Sequence, residues 1–90
     1  MAETAEARLK RLKMRSWRRG TKEMDLVLGH WADAHLAGLT EPDLTAFESL
    51  LAENDQDLMS WMLGQSSPPA ELAPMLDRVT GFARGRISQR

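Results

Sequence analysis

Met24, Leu28, Trp31 and His35 recur at i, i+4, i+7 and i+11. That is the spacing of one helix face, and Val27 and Ala34 widen the stripe. No segment carries the alternating Val/Ile/Thr/Tyr pattern of a half-buried strand, and no Asn-Gly or Asp-Gly turn joins two such runs. Val and Ile are scarce while Leu, Ala, Met and Glu are common, which favours helix. With 90 residues the chain can bury one core. Its 42% hydrophobic and 28% charged residues suit a globular fold. The expectation is an all-α protein, a compact five-helix bundle in a single small domain over residues 1–83, with a basic flexible C-terminal tail over 84–90.

The helices are bounded by local signals. The first is expected over residues 3–14, with Leu9 and Leu12 apolar and Trp17 following as an anchor. The second spans 21–36, entered through Gly20 and stopped at Gly38. Thr40 caps the third, with Pro42 in its first turn and Asp43 reaching back from N3. Leu44, Phe47, Leu50 and Leu51 form its buried face. Asn54 and Asp55 break it, and Asp55 caps a short fourth helix carrying Leu58, Trp61 and Met62, ended by Gly64. The loop Gln65-Ser66-Ser67-Pro68-Pro69 leads to a fifth helix over 70–83, with Leu72, Met75, Leu76, Val79 and Phe82 as its stripe and Pro74 in the first turn.

Charge is sorted along the chain. Residues 8–22 hold eight Lys/Arg and no acid; residues 23–77 hold eleven Asp/Glu and no Lys/Arg; Arg78, Arg84, Arg86 and Arg90 follow. The net charge of −1 therefore hides a strongly dipolar molecule, which points to a docking surface more than a catalytic pocket. No cysteine is present, which excludes disulfides, thiolate nucleophiles and Cys-based metal sites. No apolar run approaches the ~18 residues of a membrane span, and no apolar h-region follows the first basic residues. Glu3 and Glu6 argue against a transit peptide.

Few residues group for chemistry. His30 and His35 are five apart, about 140° around a helix, and are read as surface or core-edge histidines rather than ligands of one ion. Asp55 and Asp57 are read as capping and dipole-complementing acids. Met14, Met24, Met59, Met62 and Met75 are read as core filler. No Ser/His/Asp spacing or phosphate-cradling glycine pattern occurs. The cations around Trp17 could meet phosphates, with the indole stacking on a base, but the acidic block that follows would repel a phosphate backbone, and an acidic partner protein fits as well. Arg19, Gly20 and Glu23 have two compatible readings. One is a turn glycine between solvated charges. In the other, a glycine admits a partner backbone while an arginine fork and a carboxylate one turn on supply directional contacts.

Arg19-Gly20-Thr21-Lys22-Glu23 resembles the RGxxE signature of the succinate dehydrogenase assembly factor 2 family, the FAD assembly factors. Asp25, Leu44-x-x-Phe47-x-x-Leu50-Leu51, Asp55-x-Asp57-Leu58 and Trp61-x-x-Gly64 keep the family's order and spacing, so the resemblance covers residues 8–82. It implies a five-helix chaperone that binds the flavoprotein subunit of succinate dehydrogenase, or of fumarate reductase, and promotes covalent attachment of FAD to a histidine of that subunit. It implies no enzyme activity, no metal and no stably bound cofactor, FAD being the partner's. The partner-binding surface maps to Arg19, Gly20 and Glu23, with Arg18 and Asp25 in support. A monomer without nucleic acid or membrane insertion is expected, in the bacterial cytoplasm or, in a eukaryote, the mitochondrial matrix. The alternative is a small helical adaptor that binds protein or nucleic acid through residues 8–22.

Overall fold

The computed structural model describes residues 2–88, and side chains over 2–85. It is all-α: α1 (Ala5–Trp17), α2 (Lys22–His35), a 3-10 turn (Leu36–Gly38), α3 (Glu41–Leu51), α4 (Asp55–Met62) and α5 (Ala73–Ser88). The described residues contain no strand, and no helix among them is long and apolar enough to cross a membrane. The helices fall into two compact units, Met1–Leu39 and Thr40–Arg90.

In the first unit α1 packs on α2, and the 3-10 turn touches both. Thr4 opens α1 by accepting the Ala7 N–H at 3.0 Å. Glu3 and Arg11 form a two-pronged ion pair at 2.8 Å per contact. Leu12 and Ser16 are buried, and the Ser16 hydroxyl donates to the Leu12 carbonyl at 2.8 Å, so its burial leaves no polar atom unpaired. The helix starts two residues later than expected and runs on through Trp17, which is its last residue rather than an anchor beyond it.

The α2 stripe is confirmed in part. Met24, Leu28 and Trp31 are each 1% exposed and His35 is half-buried. Ala34 faces solvent, however, and Ala32, Gly29 and Leu36 are buried. Ala32 lies about 40° from Leu28 around the helix and Ala34 about 120° on the other side. The buried face therefore widens toward the flank that meets α1. The α-helix ends at His35 and tightens into the 3-10 turn, so Gly38 closes a second, shorter element.

In the second unit α5 packs on both α3 and α4. Thr40 caps α3, accepting the Asp43 N–H at 3.3 Å. Leu44, Phe47, Leu50 and Leu51 are all buried. The Asp43 carboxylate does not reach back to the cap; it accepts from Arg78 on α5 at 3.1 Å. Asn54, not Asp55, caps α4. Its amide oxygen accepts the Asp57 N–H at 2.8 Å and its amide nitrogen donates to the Asp57 carboxylate at 3.0 Å, a reciprocal pair that a carboxylate cap could not make. Gly64, at φ 77°, closes α4 with paired bonds from Gly64 N–H to Trp61 and from Gln65 N–H to Ser60.

Helix α5 is displaced toward the C-terminus. The Pro69 carbonyl accepts from Leu72 and Ala73, so a turn occupies the residues first expected to be helical. Pro74 then falls at the tolerated second position. Leu72, Met75, Leu76 and Val79 are buried, with Phe82 half-buried. The helix also continues to Ser88 where a flexible tail from Arg84 was expected. Gly81 and Gly85 weaken a helix by ~1 kcal/mol each but do not break it as proline would. The Arg84 guanidinium also ties back to the Met62 carbonyl at 3.3 Å. Residues 89 and 90 of that tail lie outside the described residues.

Candidate functional site

The five residues singled out by the sequence meet at the turn between α1 and α2. Arg18 ends α1 at φ −126°, ψ 56°. Gly20 follows at φ 101°, and Thr21 returns to extended backbone at φ −125°, ψ 142° to cap α2, accepting the Met24 N–H at 3.4 Å. A side chain at Gly20 would meet no heavy atom within 4 Å. Gly20 is therefore required by its backbone conformation, which costs an L-residue roughly 1–2 kcal/mol, and not by crowding.

Arg18, Gly20 and Glu23 are exposed; Arg19 and Asp25 are half-buried. Glu23 is the second residue of α2, where its charge complements the helix dipole. Asp25 differs from the others. Its carboxylate turns back on the chain and accepts the Arg19 backbone N–H at 2.5 Å, while its own N–H donates to the Thr21 carbonyl at 3.0 Å.

The approach to the turn is held by Trp17, the residue immediately before it. Its indole lies on Gly29 of α2, where a methyl group would fall within 2.6 Å of three indole ring atoms. The indole N–H donates to Asp33 at 3.2 Å, and Lys13 pairs with the same carboxylate oxygen at 3.4 Å. The indole hydrogen bond, more than the charges of Lys13 or His30, holds the Asp33 carboxyl below its ordinary range. His30 meets the Trp17 ring edge to face, with centroids 5.1 Å apart. Sequence reasoning missed Gly29 and Asp33. A lone glycine inside a helical pattern was the available signal.

The other candidates have structural roles. His35 stacks on Trp31 at 4.8 Å and donates from Nδ1 to the Trp31 carbonyl at 3.2 Å, so both histidines sit at the core edge beside an indole. Asp57 serves the α4 cap. Among the described residues, no three His, Asp or Glu side chains are grouped to hold a metal ion. Within the basic run, Arg11 pairs with Glu3 and Lys13 with Asp33. Met14 and Leu26, on the helices flanking the turn, are 51% and 43% exposed.

Comparison with known proteins agrees with the signature. Residues 10–83 match the family model Sdh5, described as flavinator of succinate dehydrogenase. The chain is 38% identical over 81 residues to the FAD assembly factor SdhE of Acetobacter pasteurianus, covering 89% of this chain and 74% of that protein. It is 44% identical over 55 residues to the FAD assembly factor SdhE of Legionella pneumophila strain Lens, covering 61% and 70%. The mitochondrial succinate dehydrogenase assembly factor 2 of Meyerozyma guilliermondii is 34% identical over 76 residues, covering 84% and 53%. With most of its length matched, including the α1–α2 turn, α3, α4 and most of α5, this chain belongs to the Sdh5 family, the flavinators of succinate dehydrogenase.

Proposed function

We propose that this protein is a non-catalytic assembly factor that binds the flavoprotein subunit of succinate dehydrogenase, or of fumarate reductase, and promotes covalent attachment of FAD to a histidine of that subunit. The observation that carries the reading is the Gly20 turn: exposed, in a backbone conformation suited to glycine, and open where a side chain would project, with no heavy atom there within 4 Å. A partner backbone can approach there closely. Arg19 and Glu23 orient the docked subunit through charged hydrogen bonds, with Arg18 adding positive charge at the edge.

The flavin and the histidine it joins belong to the client. His30 and His35 are engaged beside Trp17 and Trp31 and take no part. The factor supplies positioning: it holds the client in a conformation where its histidine lies close to the flavin, and the client's own chemistry completes the bond. The interface is polar and transient, because the factor leaves before the iron–sulfur subunit docks. The work belongs in a bacterial cytoplasm or a mitochondrial matrix, a reading supported by the family's bacterial and mitochondrial members.

The test is covalent flavin in the succinate dehydrogenase flavoprotein subunit, read by in-gel fluorescence after denaturation, in cells with and without the gene. Deletion should remove the signal. The wild-type gene should restore it and Gly20→Arg should not, and circular dichroism should show that variant to be folded. A signal indifferent to deletion would reject the reading and return attention to the adaptor alternative.

A further inference from the structure

We propose that Asp25 is a positioning residue, which sets the direction of Arg19 through a backbone bond and does not itself touch the partner. The inference rests on the docking role proposed for the turn. Asp25 is fixed in the first turns of α2 by its N–H bond to the Thr21 carbonyl. From there its carboxylate accepts the Arg19 N–H at 2.5 Å, across the one residue in the turn with positive φ. Upstream, Trp17 is locked on Gly29 and tied to Asp33. Arg19 thus lies between two anchors, one on each side, only two residues beyond Trp17.

A segment containing Arg18, Arg19 and Gly20 would otherwise sample many backbone conformations and lose that freedom on docking. Pre-ordering it spares the complex that loss, an advantage on the order of tenfold in affinity. What the brace needs is an acceptor, not a negative charge. Asp25→Asn keeps an amide oxygen of the same reach; Asp25→Ala removes the acceptor.

The experiment compares wild type, Asp25→Asn and Asp25→Ala in two ways. Amide exchange at Arg19 is followed by NMR in the free protein. Binding and flavin attachment are followed with purified flavoprotein subunit and FAD. Asn is expected to keep Arg19 protected and to bind within about threefold of wild type. Ala is expected to lose that protection and bind on the order of tenfold more weakly. If Asn protects Arg19 but binds as poorly as Ala, the charge itself contacts the partner and the proposal falls. It also falls if Ala frees Arg19 and binds like wild type. Should Ala fail to fold, Asp25→Ser, whose hydroxyl is too short to bridge, takes its place. Wild-type protein that neither binds nor promotes attachment would overturn the docking reading instead, while the Arg19 exchange data would still decide whether the brace exists.

Discussion

The two units of this chain are held by different kinds of contact. Residues Thr40–Arg90 bury aliphatic side chains and one phenyl ring: Leu44, Phe47, Leu50, Leu51, Leu58, Leu72, Met75, Leu76 and Val79. Residues Met1–Leu39 also bury Leu12, Met24 and Leu28, but join α1 to α2 through an indole on a glycine, an indole N–H on a carboxylate and an edge-to-face histidine. Aliphatic cores tolerate exchange among residues of similar volume. An indole lying on a bare helix backbone does not, because only glycine leaves the space. The unit that carries the candidate docking turn is therefore the one with residue-specific contacts, and those contacts converge on the residue before the turn.

The largest effect should come from emptying the tolerant core. Phe47, which is fully buried, should cost about 3–5 kcal/mol when truncated to alanine, measured by urea unfolding. Leu50→Met in the same core should cost less than about 1.5 kcal/mol. A loss for Leu50→Met as large as for Phe47→Ala would contradict the idea of an exchangeable core.

Gly29→Ala sharpens the comparison from the other side. Alanine is the better helix former by about 1 kcal/mol, yet its methyl would strike the Trp17 indole. Overpacking should win, with a net loss of about 1–3 kcal/mol and altered tryptophan fluorescence. A stabilised variant with unchanged fluorescence would remove the indole–glycine lock.

Smaller effects follow at the helix ends and with pH. Thr40→Ala removes the α3 cap and should cost about 1 kcal/mol in thermal or urea unfolding. The Asp33 carboxyl is held below its ordinary range, first by the Trp17 indole. Its contribution is complete above the unfolded carboxyl's titration and is lost as pH falls through the folded value. Asp33 is solvent-exposed, so the effect is small. It should appear as an acid shift of the Trp17 indole N–H resonance in step with Asp33 protonation, and an indole signal that ignores Asp33 would break the clamp.

What was readable from the sequence was local. The α2 periodicity, the Thr40 cap, the turn at Gly20 and the buried faces of α3 and α5 are each written within a few neighbouring residues. Helix periodicity, side-chain capping and positive φ depend on nothing more distant. The same locality brought Arg18, Arg19, Gly20, Glu23 and Asp25 into one site. It could not separate the exposed Arg18, Gly20 and Glu23 from Asp25, whose carboxylate turns inward to the Arg19 N–H.

The remaining features were decided by tertiary structure. The pairing of Trp17 with Gly29 spans twelve residues, and that of Trp17 with Asp33 sixteen. Neither is encoded in the propensity of either partner. Both follow from which flank of α2 meets α1, and that same choice buries Ala32 and leaves Ala34 in solvent. The sequence by itself determined an all-α chain with a glycine turn between charged residues. How two helices meet decided which residues hold that turn in shape, because a contact between distant residues exists only once the backbone has brought them together.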